Sequence, residues 1–447
     1  MWKYRFTSYS NTLVLASLLY SIQLSHADEL DLTIPEQEAI TIAEPLILSN
    51  ALSRVQDENP SLFEMQARAE AMSAIPSQVG SLPDPVVEFN TLNLPVDTFD
   101  INQEAMTQLQ FGISQKIPYP GKLSLKESIA MHLADAANTD VDAIRLQLSR
   151  DVKTLWWHLF FLDRSLDVID INKTLLRQFI EIAQTKYKVG QGLQQDVLLA
   201  QLELSKLIDH DIQLRSTRKQ TSARLNALLN QATDKAVILP PLANIDVSLP
   251  QLKTATSIFE QAQESQPALI KQQQLINAAN DRQKLAERDL LPDFNVGAAY
   301  GFRGGNNPNG SDRADFLSFK VGVTVPLFAD RKQKMAISQR SSEVKQQQYA
   351  LQNKWLSSQV DITSTIAEYE QAREQVSLFK TGIIPQASQT VSSMLAGYQV
   401  NKVDFLNLVR AQITLYNYQT NQWKAISKAK SALAKLVATV GQENIYE

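Results

Sequence analysis

From Lys122 to Val189 the chain runs for 68 residues without a glycine or a proline. Those residues are the strongest breakers of regular structure, so the run specifies one α-helix, which at 1.5 Å per residue reaches about 100 Å. No compact globular domain needs such a helix. Leu, Ile and Ala mix along it with Asp, Lys, Arg and Gln, as in Ile144-Arg145-Leu146-Gln147-Leu148. It is therefore amphipathic and must pack sideways on similar helices. After the Gly190-Gln191-Gly192 turn, a second run from about Leu193 to Asn230 returns antiparallel to the first, giving a helical hairpin over about residues 122–230. Proline is also absent between Pro326 and Pro385 and after Pro385, and a second hairpin is expected over about residues 331–440.

The plan occurs twice. At an offset of 211, Tyr187-Lys188-Val189 matches Tyr398-Gln399-Val400, Ala200-Gln201 matches Ala411-Gln412, and Leu204 matches Leu415. At an offset of 209, Leu82-Pro83-Asp84 matches Leu291-Pro292-Asp293. The chain is an internal duplication of a unit of about 210 residues, with residues 28–235 as first repeat and 236–447 as second.

Each repeat also holds two short segments of period two. Val87, Phe89 and Thr91 alternate with Glu88 and Asn90, and Leu109, Phe111 and Ile113 with Gln108, Gln110, Gly112 and Ser114. In the second repeat Phe294, Val296, Ala298, Tyr300 and Phe302 alternate with Asn295, Gly297, Ala299 and Gly301, and Leu317, Phe319, Val321, Val323 and Val325 with Ser318, Lys320, Gly322 and Thr324. These are strands, over about 85–94, 107–116, 293–303 and 316–326, each with one apolar and one polar face. Their length suits tilted transmembrane strands, and their small polar faces suit a wet lumen. A half-buried sheet in a soluble domain is the alternative. Asn93 to Met106 and Arg303 to Asp315, the latter rich in Gly and Asn, are expected as exposed outer loops.

The N-terminus has the layout of a cleavable signal peptide over residues 1–27: Lys3 and Arg5, the apolar stretch Leu13 to Leu24, then Ser25-His26-Ala27. Its removal takes the net charge from -4 to -6, which gives no attraction to nucleic acid. The chain has no cysteine, so disulfides, thiolate metal sites and a lipid-acylated cysteine anchor are excluded. No later stretch approaches 18 uninterrupted apolar residues, so any membrane crossing is made by strands. Four strands do not close a barrel around a lumen, and every edge in lipid must be paired. Three copies give 12 strands, a normal outer-membrane count.

In combination these features resemble the TolC family of outer-membrane efflux channels, across essentially all of residues 28–447. The residues that carry the likeness are the duplication, the strand pair and long hairpin of each half, Tyr187-Lys188-Val189-Gly190 with Asp196-Val197, and Tyr398-Gln399-Val400 ending in Leu415-Tyr416-Asn417. The resemblance implies an α+β membrane protein: a homotrimer with one shared 12-strand β-barrel in outer-membrane lipid, four strands per chain, and a long periplasmic α-helical barrel. It implies as partners a periplasmic adaptor (membrane fusion) protein and an inner-membrane pump of the resistance-nodulation-division type. Pro118-Tyr119-Pro120-Gly121-Lys122 resembles the branch serving heavy-metal efflux. Asp28 to Pro45 is expected as an extended strap. The segment of about residues 230–265, with Pro240-Pro241 and Pro250, together with a break from Gly382 to Pro385, is expected to form an equatorial belt.

Pro118 and Pro120 stop the strand ladder and Gly121 allows the change of direction into the helix, with Pro326 in the same role in the second half. Both hairpin turns fall at the end far from the strands, the periplasmic tip. The family holds its tip closed by polar contacts of an aspartate and a tyrosine, which match Asp196 and Tyr398. The family's latch arginine falls on Val403, and two lumen-ring aspartates fall on Asn407 and Arg410. Asp404, one turn away, is the substitute. Asp196 and Asp404 also suit helix starts, where the dipole favours a carboxylate. His132, His158 and His210 are separate helical residues, and Asp209-His210-Asp211 points to different faces of one helix, so no metal site or cofactor is expected. Trp156-Trp157 with Phe160-Phe161 is read as helix packing or an equatorial anchor. There is no GxGxxG, Walker loop or GxSxG, and an enzyme has no residues to stand on. Rivals to a metal-exporting duct are a duct for drugs, detergents or secreted protein, and a structural envelope spacer.

Overall fold

The computed structural model describes residues 44–446. The signal segment and nearly all of the strap fall outside the described residues. Three helices come first: α1 (Leu48–Glu58), α2 (Pro60–Ser73) and α3 (Ile75–Gly80). Asn59 caps α2 by accepting the Ser61 N–H at 2.9 Å, with Pro60 at the first helical position. Strands β1 (Val86–Leu92) and β2 (Gln108–Ile117) follow, then α4 (Lys122–Lys188) and α5 (Gln194–Leu228). Helix α4 is continuous for 67 residues, about 100 Å. Lys186 and Lys188 lie in its last turn and Asp196 in the first turn of α5, each sign matching the dipole end it faces.

The second half repeats this order. Helices α6 (Ala255–Ser265) and α7 (Pro267–Arg288) precede β3 (Phe294–Phe302) and β4 (Phe316–Val323). Helices α8 (Gln333–Leu378), α9 (Ile384–Gln399) and α10 (Phe405–Val440) complete it. Helix α4 packs on α5, α7 and α10, and α8 on α7 and α10.

One expectation is corrected. Gly382 to Pro385 is no break: a π-helical turn, Phe379–Ile383, joins α8 to α9 with right-handed helical backbone throughout. Pro385 sits at the start of α9, where its missing N–H costs nothing. The irregular stretch after α5 packs against the middle of α4. There Leu239, Leu242, Ile245 and Val247 cover buried Trp156, Trp157 and Phe160 of α4. The Trp156 indole N–H donates to the Leu46 carbonyl at 2.9 Å, and Trp423 of α10 stacks edge-on against Phe160.

The sheet has the order β1-β2-β3-β4, antiparallel throughout. Among the described residues its extensive packing is between its own strands. Val87, Phe89, Phe111, Ile113, Tyr300, Phe302, Leu317, Phe319, Val321 and Val323 are all exposed on it. A soluble half-buried sheet would bury that face.

Gly441 ends α10 at φ 88°, and a Cβ there would overlap the Ser265 carbonyl oxygen. Gly441→Ala is expected to cost about 2 kcal/mol or more from left-handed strain and overlap. Thermal unfolding in detergent checks this, with exposed Gln442→Ala as the unchanged control.

Candidate functional site

The two hairpin turns meet. Leu176, Phe179 and Ala183 of α4, Ala200 of α5, Tyr398 of α9 and Phe405 and Leu408 of α10 form one buried cluster. Both turns close alike: Gln191 N–H donates to the Lys186 carbonyl at 2.8 Å and Lys402 N–H to the Gly397 carbonyl at 2.9 Å. Gly190 and Asn401 take the left-handed position in each, at φ 74° and 60°. This is the helix-ending motif in which a residue of positive φ lets the chain satisfy its last carbonyls.

Within that frame Asp196 and Tyr398 come together. The Tyr398 hydroxyl, on a 5% exposed residue, donates to Asp196 Oδ2 at 3.3 Å. Burial, then the Asp196 charge, push that hydroxyl up to about 12, so it stays a donor at neutral pH. The Tyr398 ring packs 5.0 Å from Phe405.

Lys186, which the sequence does not single out, completes the cluster. It is 8% exposed, and its Nζ lies 4.5 Å from the Tyr398 ring centre while donating to the Tyr398 carbonyl and Asn401 Oδ1. A buried ammonium over an aromatic face is held by the ring quadrupole. Val403, where the resembling family has an arginine, fills the space over Gly397; a Cβ on Gly397 would lie 2.6 Å from Val403 Cγ2.

Asp404, Asn407 and Arg410 are not drawn into this cluster. Asp404 is the residue before α10, with extended backbone and no side-chain cap bond. All three are exposed.

The strand-to-helix turn is built around a buried cation. Ile117 ends β2, Pro118 and Pro120 follow, and Gly121 adopts φ 90° as α4 begins. The Tyr119 N–H donates to Asp293 Oδ1 at 3.0 Å, and the Arg288 guanidinium to the Pro120 carbonyl at 3.2 Å. Lys122 Nζ sits 2.8 Å from Asp293, 3.2 Å from Asp289 and 3.2 Å from the Leu291 carbonyl. This network ties the first repeat to the second beside the sheet. Pro326 lies after β4, where Leu327 N–H closes a tight turn onto the Val325 carbonyl at 2.9 Å.

The histidines have other partners. His210 Nδ1 is 2.7 Å from the Tyr416 hydroxyl, while Asp209 and Asp211 bind Gln213 and Arg215 of their own helix. His132 Nδ1 is 2.9 Å from Gln274 Oε1, and His158 stacks near Phe161. Among the described residues no three His, Asp or Glu side chains are grouped to hold a metal ion.

Residues 258–442 match the family model described as outer membrane efflux protein. The architecture matches solved channels over most of its length. This is the TolC-like outer-membrane channel fold. The outer-membrane channel OprN shares it at a TM-score of 0.73 and 16% identity, covering 88% of this chain and 89% of that one. The outer membrane protein VceC from Vibrio cholerae does so at 0.73 and 15%, covering 88% and 96%. CusC, described as forming a transmembrane channel, does so at 0.72 and 14%, covering 88% and 92%. No curated protein matches the chain in sequence.

Proposed function

We propose that the chain is one of three protomers of an outer-membrane exit duct in a tripartite efflux pump. The carrying observation is the four-stranded sheet with an exposed apolar face and, among the described residues, two unpaired edges, set at the end of helix α4, about 100 Å long. Lipid covers such a face, neighbouring copies cover such edges, and the helices bridge the periplasm. Apolar residues left exposed on α5 (Leu198, Leu202, Ile212) and α8 (Tyr349, Leu356, Val360) support the same assembly, because helices of adjacent protomers would bury them. The duct is passive. An adaptor engages the tip, and an inner-membrane pump of the resistance-nodulation-division type supplies the energy.

Tyr398, Asp196 and Lys186 form the gate latch. The cation missing at Val403 is supplied from the opposite hairpin by Lys186, so the contact binds the first repeat to the second within one protomer. Opening swings the Tyr398 hairpin outward and breaks it. Asp404, Asn407 and Arg410 line the approach, and their mixed charge makes a weaker cation ring than three carboxylates would.

The cargo is a heavy-metal cation, a reading supported by Pro118-Tyr119-Pro120-Gly121-Lys122 at the strand-to-helix turn. Growth of a deletion strain, with and without complementation, tests it across copper, silver, zinc, cobalt, cadmium, dyes and bile salts. Sensitivity confined to metals is the expected result and names the ion. Sensitivity confined to organic compounds transfers the duct to drug and detergent export.

A further inference from the structure

Among the described residues, strands β1 and β4 are the free edges of the sheet, and the duplication makes their partner readable. This inference rests on the trimeric duct proposed above. The Leu-Pro-Asp repeat sets a shift of 209 residues from β1 to β3, so that Val86 falls on Asn295. Val86 pairs with Ser114 and Asn295 with Gly322. Ser114 therefore maps onto Gly322, a shift of 208 from β2 to β4. At that shift Leu109 falls on Leu317, Phe111 on Phe319, Ile113 on Val321 and Pro118 on Pro326. The observed strand registers and the sequence thus agree on one alignment of the two strand pairs.

The sheet is a two-strand unit used twice, and the β2–β3 junction shows how one unit meets the next. We propose that β4 of one protomer pairs with β1 of the neighbouring copy in that same register. Ile113 lies opposite Ala298 and Gln115 opposite Val296. The corresponding pairs between copies are Val321 with Phe89 and Val323 with Val87. Lys320 then stands opposite Asn90 and diagonal to Glu88. Each copy carries an even number of antiparallel strands, so β4 and the next β1 run in opposite directions, as the ladder needs. The outward faces join as apolar on apolar, and the inward faces bring a lysine beside a glutamate.

A slip of two residues keeps the same faces, so the register itself must be measured. The cysteine-free chain allows this directly. Val321→Cys is combined in turn with Phe89→Cys, Val87→Cys and Thr91→Cys in the full-length protein, oxidised mildly in membranes and run in denaturing gels. Within one copy position 89 is level with Leu317 across the sheet, so 89 and 321 are three strand spacings and four residues apart, about 20 Å, beyond any disulfide. The Phe89 pair is expected to give roughly tenfold more covalent trimer than either slipped pair, whose diagonal spacing exceeds disulfide reach. A dominant slipped pair overturns the register and leaves the trimer standing. Monomers from all three pairs, with a monomer mass in detergent for the unsubstituted chain, overturn the trimeric duct. A second readout avoids cysteines: Lys320→Glu is expected to lower the temperature at which the trimer dissociates in detergent, and adding Glu88→Lys to restore it. Failure of the double variant to restore it, with the single one impaired, places Glu88 away from Lys320 and overturns the pairing of these two edges.

Discussion

Replacing Tyr398 by Phe and Asp196 by Ala together is expected to raise single-channel conductance in planar bilayers. The hydroxyl-to-carboxylate bond is long at 3.3 Å and only partly sheltered, which puts it at the low end of the about 1.5–3 kcal/mol typical for a bond to a charged group. That is still roughly a tenfold rise in the open fraction for each protomer. Lys186→Met is expected to act in the same direction on its own, because it removes the ammonium from the Tyr398 ring and carbonyl and from Asn401 together. It also retains an unbranched side chain of similar length to fill the buried site. The reverse control is Lys188→Met. Lys188 is exposed one turn-end position away, and its loss should leave conductance unchanged. Unchanged conductance in both the double variant and Lys186→Met would sink the latch.

The second large effect is at the other end of the helices. Lys122→Met removes a cation whose side chain is 7% exposed and leaves Asp293, 22% exposed, without its partner. Breaking a buried pair from one side costs about 3–5 kcal/mol, because the remaining charge stays buried. The expected result is a protein that unfolds at markedly lower temperature or urea concentration. Asp289→Asn should do little, since that carboxylate is 55% exposed and exposed pairs contribute at most about 1 kcal/mol. Acid should mimic the lysine replacement. Burial works against the Asp293 charge, but the bonds from Lys122 and the Tyr119 N–H outweigh it and hold the carboxyl below its ordinary range. A depressed carboxyl contributes stability above its unfolded-state value of 3.8 that is lost as pH falls through the lower folded-state value. The wild-type fold should therefore weaken in strong acid, and the Lys122→Met variant should show a smaller acid response.

How much of this is visible in the residues depends on the contrast between neighbouring positions. The strands are legible because Leu317, Phe319, Val321 and Val323 alternate with small or polar residues, and such a period is shared by no helix. The long helices are legible from what they lack. Helix α7 is not, since stretches such as Lys271-Gln272-Gln273-Gln274 carry little apolar contrast and its packing against α4 and α8 is set by distant chain; α1 and α6 are amphipathic but only 11 residues long. Gly382 and Pro385 read as a break because both residues disfavour helix interiors; one wide turn absorbs them instead. The Asp196 and Tyr398 pair is approached through family likeness. Lys186 has no local signal to separate it from Lys188: one is buried and the other exposed only because the second hairpin, over two hundred residues away, lies across the first.

The wide π-helical turn at Phe379–Ile383 has a mechanical meaning. Helix α9 beyond it is 16 residues long, a rigid arm of about 24 Å with Tyr398 at its far end. Such turns are where helices bend most readily. A tilt of about 5° at that point carries the tyrosine by about 2 Å, the difference between a hydrogen bond and none. In the proposed duct the latch would thus be released by flexing one arm at its root, with the sheet and the helices beside it standing still.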